Sequence, residues 1–216
     1  MGWKRGSFAG VLLVALGASL WGADGVLRVP LLGDMTPLSV VFAEHLLLAA
    51  YSVPVVALGW RAFRRFGLPQ WGALLVIGWG GSALATLLFT KAFTVGNPTV
   101  VILLQKTQPL FAIALSALLL RERLGLGYWA GFAVAMVGAY LVSFSDLSPF
   151  LQLGSAEALT AALALGAALL WGSSTVLGRL VLRDVPFHTL TGARLLLALP
   201  LLAGLVAAQG LSLIHI

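Results

Sequence analysis

Seven stretches of this chain, at roughly 8–32, 37–60, 71–95, 98–120, 126–145, 157–180 and 186–208, are apolar almost throughout. A helix needs about 20 apolar residues to cross the hydrocarbon of a bilayer, so each run is long enough to span one. In lipid every backbone N–H and C=O must be satisfied within the protein, and a helix does this alone. The expected fold is therefore all-α and polytopic, with about seven transmembrane helices. Composition agrees. Of 216 residues, 60% are hydrophobic and 9% charged, where a soluble domain carries about 25% charged residues. No soluble core of this size could hide that much apolar surface. The absence of cysteine excludes disulfides, Cys-ligated zinc, Fe–S clusters and thiol catalysis.

The N-terminus resembles a signal peptide, with Lys4 and Arg5 ahead of an apolar run. That run exceeds the usual core of about 7–15 residues and further spans follow, so it reads as a retained first span. A net charge of +6 would suggest nucleic acid in a soluble protein. Here the basic residues fall in short clusters between spans: Lys4 and Arg5; Arg61, Arg64 and Arg65; Arg121 and Arg123; Arg179 and Arg183. If the spans alternate, these nine of the 13 basic residues share one side, and Asp34, Asp146 and Glu157 take the other. The positive-inside rule then sets the N-terminus in the cytoplasm of a multi-pass protein of the bacterial inner membrane. The expected surroundings are a lipid bilayer, with no nucleic-acid partner. The connections carry start signals for helices. Thr36 is an N-cap ahead of Pro37, and Gly96–Pro98 does the same work for the fourth span.

An internal repeat is expected at an offset of 150 residues. "LWGADGVLRVPLLGDMTPLSVVFAEHLLLA" lies over "LWGSSTVLGRLVLRDVPFHTLTGARLLLAL" without a gap. Trp21-Gly22 meets Trp171-Gly172, Asp34 meets Asp184, and Glu44 meets Arg194. Five spans separate the copies, an odd number, so the second enters from the opposite face, as in the inverted repeats of many secondary transporters. The reading gives a first five-helix repeat over 1–145, a linker at 146–156 and a partial second repeat over 157–210. The tail 211–216, "LSLIHI" within the last block, resembles a translated sequencing adapter, and the true sequence is expected to continue beyond about Gly210.

The fourth span raises the functional question, because Gln105, Lys106, Thr107, Gln108 and Pro109 interrupt it. At 100° per residue, Gln105, Lys106, Gln108 and Pro109 share an arc of about 160°. A lysine at the bilayer centre costs about 2.5–3.5 kcal/mol on insertion scales. Pro109 lacks an N–H, so the carbonyl of Gln105 loses its helix partner and the helix kinks. A free carbonyl is tolerated beside a wet cavity. Two readings compete: a cavity-lining face, or a structural charge pair with a packing kink. Glu44 lies about 10 Å deep in the second span and Lys106 about 12 Å deep in the fourth, so a Glu44–Lys106 pair is the expected partnership, with a proton exchanged if one member titrates. His45 points about 100° away from Glu44 and is either a second functional group or a satisfied packing residue. Asp24 and Arg28 stand at i,i+4 and form either an intrahelical salt bridge or part of a gate or substrate site. Arg194 could take an anionic substrate group or serve as a partner to Glu44 or Asp24. Trp21, Trp79 and Trp171 are candidates to line a pocket, whereas Trp60, Trp71 and Trp129 suit an interfacial belt. Small residues at Gly127, Gly131, Ala135, Gly138 and Ala139 suit either packing within the chain or a homodimer contact.

Taken together, these residues resemble the EamA-type permeases of the drug/metabolite transporter superfamily. The resemblance rests on "LWG" in span one, a charged residue in span two, and "LLFTKAFTVGNPTVVILLQKTQPLFAIALSALLLRERL" running into the Gly-rich fifth span ending "GAYLVS". It covers nearly all of 8–208. The family implies two five-helix repeats and export or exchange of small metabolites; the expected metabolite for this chain is amino-acid-like or anionic. Alternating access is the mechanism expected of the inverted repeat, and neither an enzyme nor a cofactor is expected. Many members carry arginine in span two, where this chain has Glu44 and His45. The rival class is a membrane-embedded lipid-modifying enzyme, or a scaffold that transports nothing. An enzyme needs a catalytic cluster, and His45, His188 and His215 are far apart in sequence without an HExxH or GxSxG motif.

Overall fold

A computed structural model describes residues 5–120, 124–143 and 155–210. The 211–216 tail and most of the 146–156 linker, with Lys4, Arg121, Arg123 and Asp146, lie outside these residues. The described chain is a bundle of seven apolar helical spans: Arg5–Leu31, Pro37–Phe63, Leu68–Val95, a fourth in two halves (Pro98–Gln105 and Gln108–Leu120), Leu126–Ser143, Ala156–Val181 and Phe187–Ala208. Their ends agree with the sequence reading to within a few residues.

The start signals work as expected. Thr36 Oγ1 accepts from the Ser39 N–H at 3.1 Å, with Pro37 opening the second span. Asn97 Oδ1 accepts from the Thr99 N–H at 2.8 Å, with Pro98 opening the fourth. Ser155 Oγ accepts from the Ala158 N–H at 3.1 Å, with Glu157 in the first turn of the sixth, where a negative charge favours the helix dipole. Each cap satisfies a donor that lipid could not.

The core is shared among spans two, three, four, six and seven. Phe89, Phe93, Val101, Leu104 and Ala164 join the third, fourth and sixth. Leu38, Val41, Phe42, Ala198 and Leu202 join the second and seventh around Ala83 of the third. Membrane helices gain little from the hydrophobic effect against one another, so close van der Waals approach decides their packing. Gly172 shows this. A Cβ there would sit 3.0 Å from the Ala112 amide nitrogen and 3.1 Å from the Gln108 carbonyl oxygen, so span six lies directly on the backbone of span four.

Two spans depart from regular α-helix. The third carries a π-helical stretch, Val76–Leu84, containing Gly78, Gly80 and Gly81. Its end is marked by the Ala85 N–H donating to the Gly80 carbonyl, five residues back. Such stretches are rare and cluster at functional sites. The fourth span breaks at Lys106–Thr107, just ahead of Pro109, which becomes the second residue of the second half. The sequence implied a kink at this point; the helix in fact stops and restarts. Thr107 closes the first half, its hydroxyl donating to the Leu104 carbonyl at 2.6 Å. Tyr128 of span five secures the second half, its O–H donating to the Leu110 carbonyl at 2.7 Å.

The connections 31–36 and 181–186 have the same local structure, residue for residue, at the 150-residue offset. In the first, the Asp34 N–H donates to Leu31 O at 3.3 Å and the Met35 N–H to the same oxygen at 2.9 Å. In the second, Asp184 and Val185 donate to Val181 O at 3.1 and 3.2 Å.

Candidate functional site: two polar cavities meeting at a tryptophan pair

Two polar cavities lie inside the bundle. The larger, about 540 Å³, extends from Leu182 and Phe187, at the connection of spans six and seven, to Trp21 and Trp171. The smaller, about 420 Å³, is lined by the same tryptophans and lies among spans one, two, three, six and seven. Trp21, Trp171 and Arg194 line both. The indoles meet edge to face with ring centroids 5.5 Å apart, and Phe89 packs on Trp171 at 5.2 Å. Such aromatic contacts hold a wall in a fixed shape. Trp79 is exposed and lines neither cavity. Trp60, Trp71 and Trp129 are also exposed near span ends, as an interfacial belt requires.

The smaller cavity is organised by Arg28, a residue buried despite sitting on an exposed helix. Its Nε and Nη2 donate to the two carboxylate oxygens of Asp24 at 2.8 and 3.0 Å. Nη2 also donates to Glu44 Oε2 at 3.1 Å, and Nη1 to the Thr90 hydroxyl at 2.9 Å. One guanidinium thus joins spans one, two and three. The intrahelical bridge expected of Asp24 and Arg28 is present, and it extends to Glu44. The expected Glu44–Lys106 pair is not formed: Glu44 lies on Arg28, while Lys106 faces the other cavity. Their depths matched, but the Asp24–Arg28 turn of span one already occupies the space beside Glu44. The side chains of Asp24 and Glu44 remain 34% and 37% exposed, so both carboxylates stay open to the cavity. His45 is buried beside Glu44, with Nδ1 2.8 Å from the Val41 carbonyl. Its Nε2 has no hydrogen-bond partner among the described residues.

The larger cavity takes its polarity from the break in span four. Lys106 is exposed into it. Gln105, buried, donates through Nε2 to Gln108 Oε1 at 3.1 Å, and Gln108 Nε2 makes a long 3.5 Å contact with the Thr175 hydroxyl of span six. Ser174 and Thr175 line the same wall. The sequence reading passed over them, although the "SST" directly after "LWG" in the second copy was a visible signal. Arg194, from span seven, faces both cavities, and its buried Nε has no partner among the described residues.

A bundle of apolar spans around internal polar cavities, with one span broken at cavity depth, is the construction of membrane proteins that handle a polar solute inside the bilayer. The chain belongs to the EamA-like transporter family, whose model matches residues 8–144. It is 37% identical over 186 residues to the riboflavin transporter ImpX of Fusobacterium nucleatum, an alignment covering 83% of this chain and 62% of that protein. It is 33% identical over 109 residues to an uncharacterized transporter of Synechocystis, covering 42% of this chain and 33% of that one. The chain thus spans less than two thirds of the length of the curated relatives it matches. No solved structure matches it.

Proposed function

We propose that the protein is a secondary carrier that exports or exchanges small metabolites across the bacterial inner membrane by alternating access, with its N-terminus in the cytoplasm. The observation that carries the reading is the pair of polar cavities meeting at Trp21 and Trp171, positions 150 residues apart. A carrier needs such a wall, thick enough to block leakage and thin enough to change sides. An inverted repeat, with 1–145 as the first unit and 157–210 as part of the second, supplies the symmetry for that exchange. The matching connections at 31–36 and 181–186 support it. The substrate-facing residues are Glu44, Gln105, Lys106, Gln108 and Arg194, with Asp24, His45 and the two tryptophans around them. Pro109 keeps span four broken. Glu44, with one oxygen on Arg28 and its side chain open to the cavity, is the group we assign to proton coupling.

Riboflavin, named for the Fusobacterium relative, is the first substrate to test. The protein reconstituted in liposomes should take up labelled riboflavin or another small metabolite with saturation, faster under an imposed proton gradient. Glu44→Gln should abolish the gradient's effect. Lipid turnover without flux of any solute would move the protein to the membrane-enzyme class instead.

A further inference from the structure

The two cavities differ in charge. The smaller holds two acidic residues, Asp24 and Glu44, both paired with Arg28, and shares Arg194 with the larger. The larger is lined by Lys106 and Arg194 and by no acidic residue. Neither cation has a carboxylate within salt-bridge distance among the described residues, whereas Arg28 has two. Two unpaired cations facing one cavity at membrane depth are costly, and an anion entering that cavity would offset both. Arg194 is suited to the role. Its planar guanidinium presents paired donors that match a carboxylate or phosphate, and its Nε is buried without a partner. The same cavity is lined by the Trp21–Trp171 pair, which offers indole surface in the cavity that Arg194 also lines. A volume of about 540 Å³ suits a ligand of drug-like size.

We infer that the larger cavity selects a planar aromatic anion, with the ring against Trp21 and Trp171 and the carboxylate or phosphate held by Arg194 and Lys106. This rests on the carrier reading and narrows its substrate to a chemical class. It sets a neutral ring system and its phosphate ester apart, although the two share the same ring.

The test is equilibrium binding to the purified protein of riboflavin, riboflavin 5′-phosphate and inorganic phosphate, read by quenching of flavin fluorescence and, for phosphate, by competition. The phosphate ester should bind at least about tenfold tighter than riboflavin, as a charge-assisted bidentate contact implies. Raising the salt concentration should narrow the gap. Arg194→Gln should weaken the ester by at least about tenfold and riboflavin by less, removing the preference, with an unchanged circular-dichroism spectrum and melting temperature showing that the variant is folded. Arg194→Lys should keep part of the preference, and Lys106→Met should lose part of it. Equal affinity for the two flavins, or a preference that survives Arg194→Gln, overturns the inference, as does inorganic phosphate binding as tightly as the ester. Liposome flux separates the two levels. Riboflavin uptake without any anion preference leaves the carrier standing and removes the selectivity. Tight, Arg194-dependent binding of the ester without flux of either flavin does the reverse.

Discussion

Spans one and six carry the same words, Leu20-Trp21-Gly22 and Leu170-Trp171-Gly172, and are followed by connections of identical local form. They occupy the bundle differently. Only 6% of the apolar window of span one is buried, against 50% for span six. Trp21 is 47% exposed and Trp171 9%. The cause lies in the next turn. Where span one carries Asp24 and Arg28, span six carries Ser174 and Gly178. Long charged side chains hold span one to its neighbours at arm's length, through hydrogen bonds. Gly172, against the backbone of span four, and the small Ser174, against Gly81 of span three, let span six settle closely on both. The same frame thus yields one helix attached by charge and one attached by close packing.

The contrast breaks most easily at the tryptophans. Trp171→Ala should cost about 3 kcal/mol, because it opens a cavity among Phe89, Trp21 and the third span that neighbours cannot fill. Trp21→Ala should cost less than half as much, since nearly half of that side chain already lies outside the packing. Equilibrium unfolding in mixed micelles measures both. Equal losses would mean that span one is held by its apolar face after all.

Charge is the next lever. Arg28→Met removes every bond by which the guanidinium joins spans one, two and three. It should destabilise by roughly 2–3 kcal/mol, below the usual cost of breaking a buried pair because Asp24 and Glu44 keep access to water. The equivalent position in span six is Gly178, where a Cβ would meet nothing within 4 Å. Gly178→Ala should therefore cost nothing and, through helix propensity, be neutral or stabilising by up to about 1 kcal/mol. A small loss at Arg28 would show that the charge network serves the cavity rather than the attachment of span one.

Much of this was legible in sequence, and the reason is physical. Span number follows from bilayer thickness, the caps at Thr36 and Asn97 follow from backbone donors that lipid cannot satisfy, and an irregularity near Pro109, though expected as a kink and not as a full break, follows from a missing N–H. The Asp24–Arg28 bridge follows from helical spacing. What failed was pairing across helices. Depth along two helices put Glu44 level with Lys106, but depth says nothing about which neighbour stands between them, and Arg28 does. The π-helical stretch of span three was equally hidden. The close approach at Gly78 and Gly81 shows only in the contacts with Leu197 and Ser174 of other spans.

The smallest and sharpest test uses the paired glycines. At Gly172 a Cβ would lie 3.0 Å from one backbone atom and 3.1 Å from another, and backbone cannot swing aside as a side-chain tip can. Gly172→Ala should push span six off span four and cost about 1–3 kcal/mol, as overpacking does. It should also widen the larger cavity at Gln108, whose carbonyl is one of the obstructing atoms. At Gly22 a Cβ would meet nothing within 4 Å. There the helix propensity of alanine acts alone, so Gly22→Ala should be neutral or stabilising by up to about 1 kcal/mol. One methyl group, added at the same place in two copies of one motif, should then move stability in opposite directions. If both substitutions destabilise, span one is packed more closely than its exposure implies, and the division between charge-held and packing-held helices fails.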